Sequence, residues 1–152
     1  MDTVDVRARV SGYLESIHFK DGQMVKKGDL IFVIDPRPYR AELDRALAQS
    51  KLSKARLSLA EKDLRRAKHL LSERVISKEA ADTMVSDEQV AHASVEMAQA
   101  DVNAARLNVE FTQVRAPIPG RISRKYVTEG NLINGGINGT LLTTIVSLDP
   151  IY

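Results

Sequence analysis

From residue 39 onward, apolar and small residues recur at steps of three and four. Leu43, Ala46, Ser50, Ser53, Leu57, Ala60, Leu64, Ala67 and Leu71 trace an a/d heptad seam of about four heptads. Lys, Arg, Glu and Asp fill the remaining faces, as on a solvated helix exterior. The stretch Ser72–Ser77 interrupts the pattern, and Ser77 followed by Lys78-Glu79 reads as an N-cap with an acid in the next first turn. A second seam then runs through Met84, Glu88, Ala91, Val95, Ala98, Val102, Ala105 and Val109. Both runs lack Gly and Pro. Each spans roughly 33 residues, which predicts helices about 50 Å long. So short a connection makes them antiparallel neighbours, and alanine at alternate seam positions permits close backbone approach.

The flanks follow a different period. Residues 4–35 alternate imperfectly, with Lys20-Asp21-Gly22 and Lys26-Lys27-Gly28-Asp29 as turns around Met24-Val25, and Leu30–Asp35 as a buried strand. Asp35-Pro36-Arg37-Pro38 breaks the strand, and Pro38 suits the first turn of a helix. After residue 110 the β pattern returns, and Pro117 and Pro119 exclude a helix there. The predicted organisation is therefore α+β: residues 1–38 and 111–152 as two halves of one β-domain, and residues 39–110 as a helical hairpin with its turn at about 72–77.

The halves repeat one another. Val6-Arg7-Ala8 matches Val114-Arg115-Ala116 at an offset of 108, and the same offset carries Gly12 to Gly120, Leu14 to Ile122, Asp21-Gly22 to Glu129-Gly130, Met24-Val25 to Leu132-Ile133 and Gly28 to Gly136. A six-residue insertion would then bring Ile34-Asp35-Pro36 onto Leu148-Asp149-Pro150. Neither half has enough strands to bury an apolar face alone, so the two are expected to close into one flattened β-sandwich.

Composition removes several chemistries. The chain has no cysteine, so thiol catalysis, disulfides and Cys-ligated zinc are excluded. A net charge of +2 without basic runs interleaved with aromatics gives no case for nucleic acid. His18, His69 and His92 are scattered, without ligand partners at helical spacing, so no metal site is expected. Glu88 on the seam reads as a local irregularity or a tilt toward solvent, and Gly135–Thr140 lacks the Gly-Lys-Ser/Thr ending of a phosphate loop. No catalytic residue or cofactor is expected. No stretch approaches the ~20 apolar residues of a membrane span, and the direct entry from Met1-Asp2 into a strand-like segment suggests a fragment of a longer protein.

Two features carry a resemblance. One is Gly12-x-Leu14 with Asp21-Gly22-x-Met24-Val25-x-x-Gly28-Asp29-Leu30; the other is its repeat, Ala116–Ile122 with Glu129–Gly136. Together they resemble a biotinyl/lipoyl hammerhead split by a coiled coil, the arrangement of the periplasmic adaptors, or membrane fusion proteins, of tripartite efflux pumps. The segment Val114–Gly136 is similar to what adaptors of resistance-nodulation-division (RND) pumps carry after their hairpin. The resemblance implies a non-enzymatic adaptor in the periplasm of a Gram-negative bacterium, anchored at the inner membrane. Its implied partners are an inner-membrane transporter, an outer-membrane channel and further copies of itself in a ring.

The same resemblance implies a docking triplet for the channel at the turn: Arg66, Leu70 and Ser77, at spacings of four and seven. Arg66 and Leu70 share a helix face. Each also has a plain structural reading: a surface cation, a helix-end contact and an N-cap. Adaptors of ABC exporters or type I secretion systems are the nearest alternative. A lipoyl or biotinyl carrier module is a more distant one, since Lys26 lacks the flanks of a modified lysine and the helical hairpin occupies the link that would carry it.

Overall fold

Four strands precede the helices: β1 (Thr3–Arg7), β2 (Gly12–Ile17), β3 (Met24–Val25) and β4 (Leu30–Ile34). Helices α1 (Arg37–Ser72) and α2 (Lys78–Phe111) follow, then β5 (Gln113–Arg115), β6 (Gly120–Ile122), β7 (Leu132–Ile133) and β8 (Leu141–Val146). This computed structural model describes residues 1–148. The chain divides into two compact units, one of Met1–Arg40 with the chain from Leu107 onward, the other of Ala41–Arg106.

The strands form two antiparallel sheets, ordered β1-β8-β6-β3 and β5-β4-β2-β7. Exchanging each strand for its repeat mate, β1 for β5 through β4 for β8, converts one order into the other. Each sheet thus takes two strands from each half, and neither half makes a sheet alone. The equivalence reaches single hydrogen bonds. Gly22 N–H donates to Ile122 O at 3.0 Å and Gly130 N–H to Leu14 O at 2.8 Å; Ile122 N–H donates to Gln23 O and Leu14 N–H to Asn131 O, both at 2.9 Å. Gly22 and Gly130 have φ of 79° and 89°, the left-handed region that a side chain disfavours, so both turns need glycine.

Strand register corrects the last part of the repeat. Leu14 pairs with Ile34 as Ile122 pairs with Ile145, and Leu30 pairs with Arg115 as Leu141 pairs with Arg7. Ile34 therefore corresponds to Ile145, an offset of 111, and the insertion is three residues, not six. The likeness of Ile34-Asp35-Pro36 to Leu148-Asp149-Pro150 is out of register, and Asp149-Pro150 lies outside the described residues. The insertion is taken up between Asn134 and Thr140, where Thr140 N–H returns to Asn134 O at 2.8 Å.

The core holds Leu14, Ile31, Phe32, Ile34, Ile122, Ile133, Leu142 and Ile145, all nearly or fully buried. Ladder irregularities skip Ile31 and Leu142, so consecutive residues (Ile31-Phe32, Leu142-Thr143) are both buried and strict alternation fails. The halves also differ in filling. Phe19 packs edge-on against Phe32 at 5.2 Å. In the second half Val127 and Thr143 occupy those places, and the buried Thr143 hydroxyl donates to Arg124 O at 3.0 Å.

Helix α1 starts at Arg37, two residues before the expected boundary, and α2 ends at Phe111, one residue after it. Pro36 O accepts the first helical bond, from Arg40 N–H at 2.9 Å, so Pro38 sits in the first turn, where a missing N–H costs little. Asp35 supplies the stop-and-start signal: its carboxylate accepts from Arg37 N–H at 3.1 Å and from the Arg37 guanidinium at 2.8 Å. The Arg37 side chain, then its backbone N–H, lowers the Asp35 pKa to about 2. With an unfolded value of about 3.9, the folded pKa is the depressed one. This contribution is therefore complete above that range and lost as pH falls through about 2. A carbon-detected NMR titration is expected to place the Asp35 midpoint near 2; a midpoint near 4 would refute the cap.

In the hairpin, the expected seam positions are the shielded ones. Besides Ala81, which precedes the expected start of the second seam, the buried residues are Ser50, Ser53 and Ala67 on α1 and Ala98, Val102 and Ala105 on α2. The exception is Leu71, which is 36% exposed; the shielded leucine of the last α1 turn is Leu70. The returning chain brings Ile76 beside Leu70 and leaves Leu71 uncovered. Glu88 is half-buried in a shallow groove with Glu61, Leu64 and Arg65, in keeping with a tilt toward solvent.

Candidate docking site at the helical turn

Helix α1 ends in a Schellman motif. Val75 N–H donates to Leu70 O at 2.9 Å and Arg74 N–H to Leu71 O at 3.0 Å, with Arg74 left-handed at φ 58°. An arginine in that conformation costs about 1 kcal/mol relative to glycine. Helix α2 opens on Ser77, whose hydroxyl accepts from Ala80 N–H at 3.1 Å, while its carbonyl accepts from Ala81 N–H at 3.2 Å. The expected N-cap is therefore present, with Glu79 in the first turn of the helix.

Arg66 and Leu70 lie together on α1 and line a shallow depression of about 290 Å³ with Asp63, Ala67, Ile76, Ala80 and Met84. Its floor is apolar, and its one cation is Arg66, whose side chain is 71% exposed and sits 3.7 Å from Asp63. At that exposure the ion pair adds little to stability and leaves the guanidinium open to outside acceptors. Ser77 stands outside this lining, with its hydroxyl engaged by α2. Next to the site, His69 Nε2 lies 3.3 Å from Glu73 Oε1, and on α2 His92 Nδ1 lies 3.4 Å from Glu96 Oε1. Two histidines thus do have a carboxylate at helical spacing, contrary to the expectation; the Ser72 hydroxyl donates to His69 O at 2.6 Å. No residue pattern marks Ile76 and Met84 as completing the depression: Met84 reads only as a seam residue, and Ile76 falls in the interrupting stretch.

A family model for the barrel-sandwich hybrid domain of RND membrane fusion proteins matches residues 2–145. The chain belongs to that family. It is 40% identical over 149 residues to the efflux pump periplasmic linker BepD of Brucella suis biovar 1 (strain 1330), covering 98% of this chain and 38% of BepD. It is 38% identical over 148 residues to the multidrug efflux pump subunit AcrA of Escherichia coli (strain K12), covering 97% of this chain and 37% of AcrA. The chain thus spans less than two fifths of either relative. Among solved structures, a MacA–MexA chimera carrying the α-hairpin domain of Pseudomonas aeruginosa MexA superposes with a TM-score of 0.65 at 31% identity, covering 95% of this chain and 48% of the chimera. MacA of Actinobacillus actinomycetemcomitans gives 0.65 at 27% identity, over 97% of this chain and 50% of that one. Two long helices forming a hairpin between the halves of a β-sandwich are the shared architecture of this membrane fusion protein and these neighbours.

Proposed function

We propose that this chain is the central part of a periplasmic adaptor of an RND-type efflux pump. In the full-length protein it would link an inner-membrane transporter to an outer-membrane channel, in the periplasm of a Gram-negative bacterium. Several copies stand side by side in a ring, and the hairpin turn docks on the channel through Arg66, Leu70 and Ser77. The match of the family model across residues 2–145 is the observation that carries this reading. The turn adds chemical support: an exposed guanidinium beside an open apolar depression can bind a polar rim and an apolar side chain together. One such contact buries little area and is weak; joined copies raise the effective concentration and make the whole attachment durable. The family match favours the RND type over ABC and type I secretion adaptors. Among the described residues no helix is long and apolar enough to cross a membrane.

Charge reversal separates docking from folding. Arg66→Glu in the full-length protein is expected to reduce drug resistance to the level of an adaptor deletion while changing stability by less than about 0.5 kcal/mol, as for an exposed side chain. Ser77→Ala is a harder test to read, because the lost cap costs about 1 kcal/mol by itself. Resistance and thermal melting measured together decide it: an Arg66→Glu strain with undiminished resistance would refute the docking assignment.

A further inference from the structure

Arg74 is the one non-glycine residue with positive φ among the described residues, at the helix-terminating position that glycine usually fills. Its side chain is exposed, and among the described residues its guanidinium has neither an ion pair nor a hydrogen bond. The neighbouring carboxylate, Glu73, faces His69 instead. Among the described residues no side-chain contact of Arg74 therefore offsets the strain of an arginine here. Close to it in the chain, Val75 is 64% exposed and Leu71 36% exposed, so the turn presents a free guanidinium and two partly exposed apolar side chains. The surroundings are one-sided in charge. Positions 65–78 carry Arg65, Arg66, Lys68, Arg74 and Lys78 against Glu73 alone, in a chain whose net charge is only +2.

We infer that Arg74, flanked by Leu71 and Val75, is a second contact of the docking site and sets its specificity for a channel end rich in carboxylates or free backbone carbonyls. This rests on the docking reading above. A guanidinium offers five donors in a fixed fork, suited to acceptors that are themselves fixed in place, and the flanking apolar groups keep water from those bonds. The left-handed backbone aims the side chain differently from a helical arginine, so Arg66 and Arg74 provide separate contacts.

The test compares Arg74→Gly with Arg66→Glu in the full-length adaptor, with a photo-crosslinking amino acid at position 75 and the pump's own channel present. Glycine relieves the backbone, so amide exchange at residues 74 and 75 is expected to slow about fivefold. Loss of a charge-assisted bond is expected to cut crosslinking to the channel about tenfold. A more rigid turn that docks less well supports the inference. Crosslinking kept by Arg74→Gly but lost by Arg66→Glu overturns it and leaves the docking reading standing. Crosslinking kept by both variants overturns the docking reading and the inference with it. Faster exchange in Arg74→Gly removes the premise of strain and also overturns the inference.

Discussion

Alanine at Gly120 is expected to unfold the β-sandwich, while alanine at its repeat mate Gly12 leaves it folded. A Cβ on Gly120 would stand 2.2 Å from the carbonyl oxygen of Val146 and 2.9 Å from its carbon. Those atoms belong to β8, which is paired with β1 on one side and β6 on the other and cannot retreat from one without losing the other. A Cβ on Gly12 would meet only the Cγ2 of the buried Ile34, at 2.8 Å, so a core side chain must shift there but no backbone. The expected losses are roughly 3 kcal/mol or more at Gly120 and about 1 kcal/mol at Gly12. Urea unfolding of the two variants decides the matter; equal losses would mean that backbone crowding is not what holds glycine at position 120.

Aspartate at Val102 is expected to melt the hairpin. Val102 is 1% exposed, and the buried residues of the hairpin offer a carboxylate no cation, only the hydroxyls of Ser50 and Ser53. An uncompensated charge in such a place costs about 4 kcal/mol. Because Ala41–Arg106 is a compact unit of its own, the loss should fall on the helical circular dichroism, while NMR signals of Ile34, Ile122 and Ile145 persist. Burial raises the pKa of the new carboxyl, so acidification neutralises it and restores part of the helix. Val90→Asp, at a position 66% exposed, is the control and should be nearly silent. A Val102→Asp protein with unchanged helicity would show that the seam is not what holds the two helices together.

Much of this was legible in the residues because it rests on repetition. Two seams of small residues define a hairpin almost regardless of detail, and paired glycines at one spacing reveal a duplicated strand pattern. What was missed depends on local geometry. The register beyond Asn134 was misread because a loop of Gly and Asn matches many alignments equally well. Gly28, whose carbonyl accepts from Arg115 as that of Gly139 accepts from Arg7, was set against Gly136, and a chance tripeptide drew the alignment three residues too far. Leu71 was assigned to the seam because periodicity does not know where a helix stops; the returning chain at Ile76 decides that Leu70 is covered. Arg74 was missed because no residue pattern marks an arginine as left-handed. For the proposed docking site, the triplet spacing put Arg66 and Leu70 on one face, and the cap at Ser77 was readable, but the depression that unites the first two depends on Ile76 and Met84 from beyond the turn.

The exchange of strands between the sheets also dictates an order of assembly. Thr3 pairs with Val146, so β1 waits through synthesis of the whole hairpin for nearly the last described residue before it has a partner. Through that interval β2 and β4 can pair within their own half, and the helices can form from contacts closer still in sequence. Once formed, they bring the flanks of Tyr39 and Phe111 together and shorten the loop that the sheets must close. The hairpin thus acts as an internal template for its own base. A chain cut at the turn and expressed as two pieces should accordingly reassemble through its interleaved sheets.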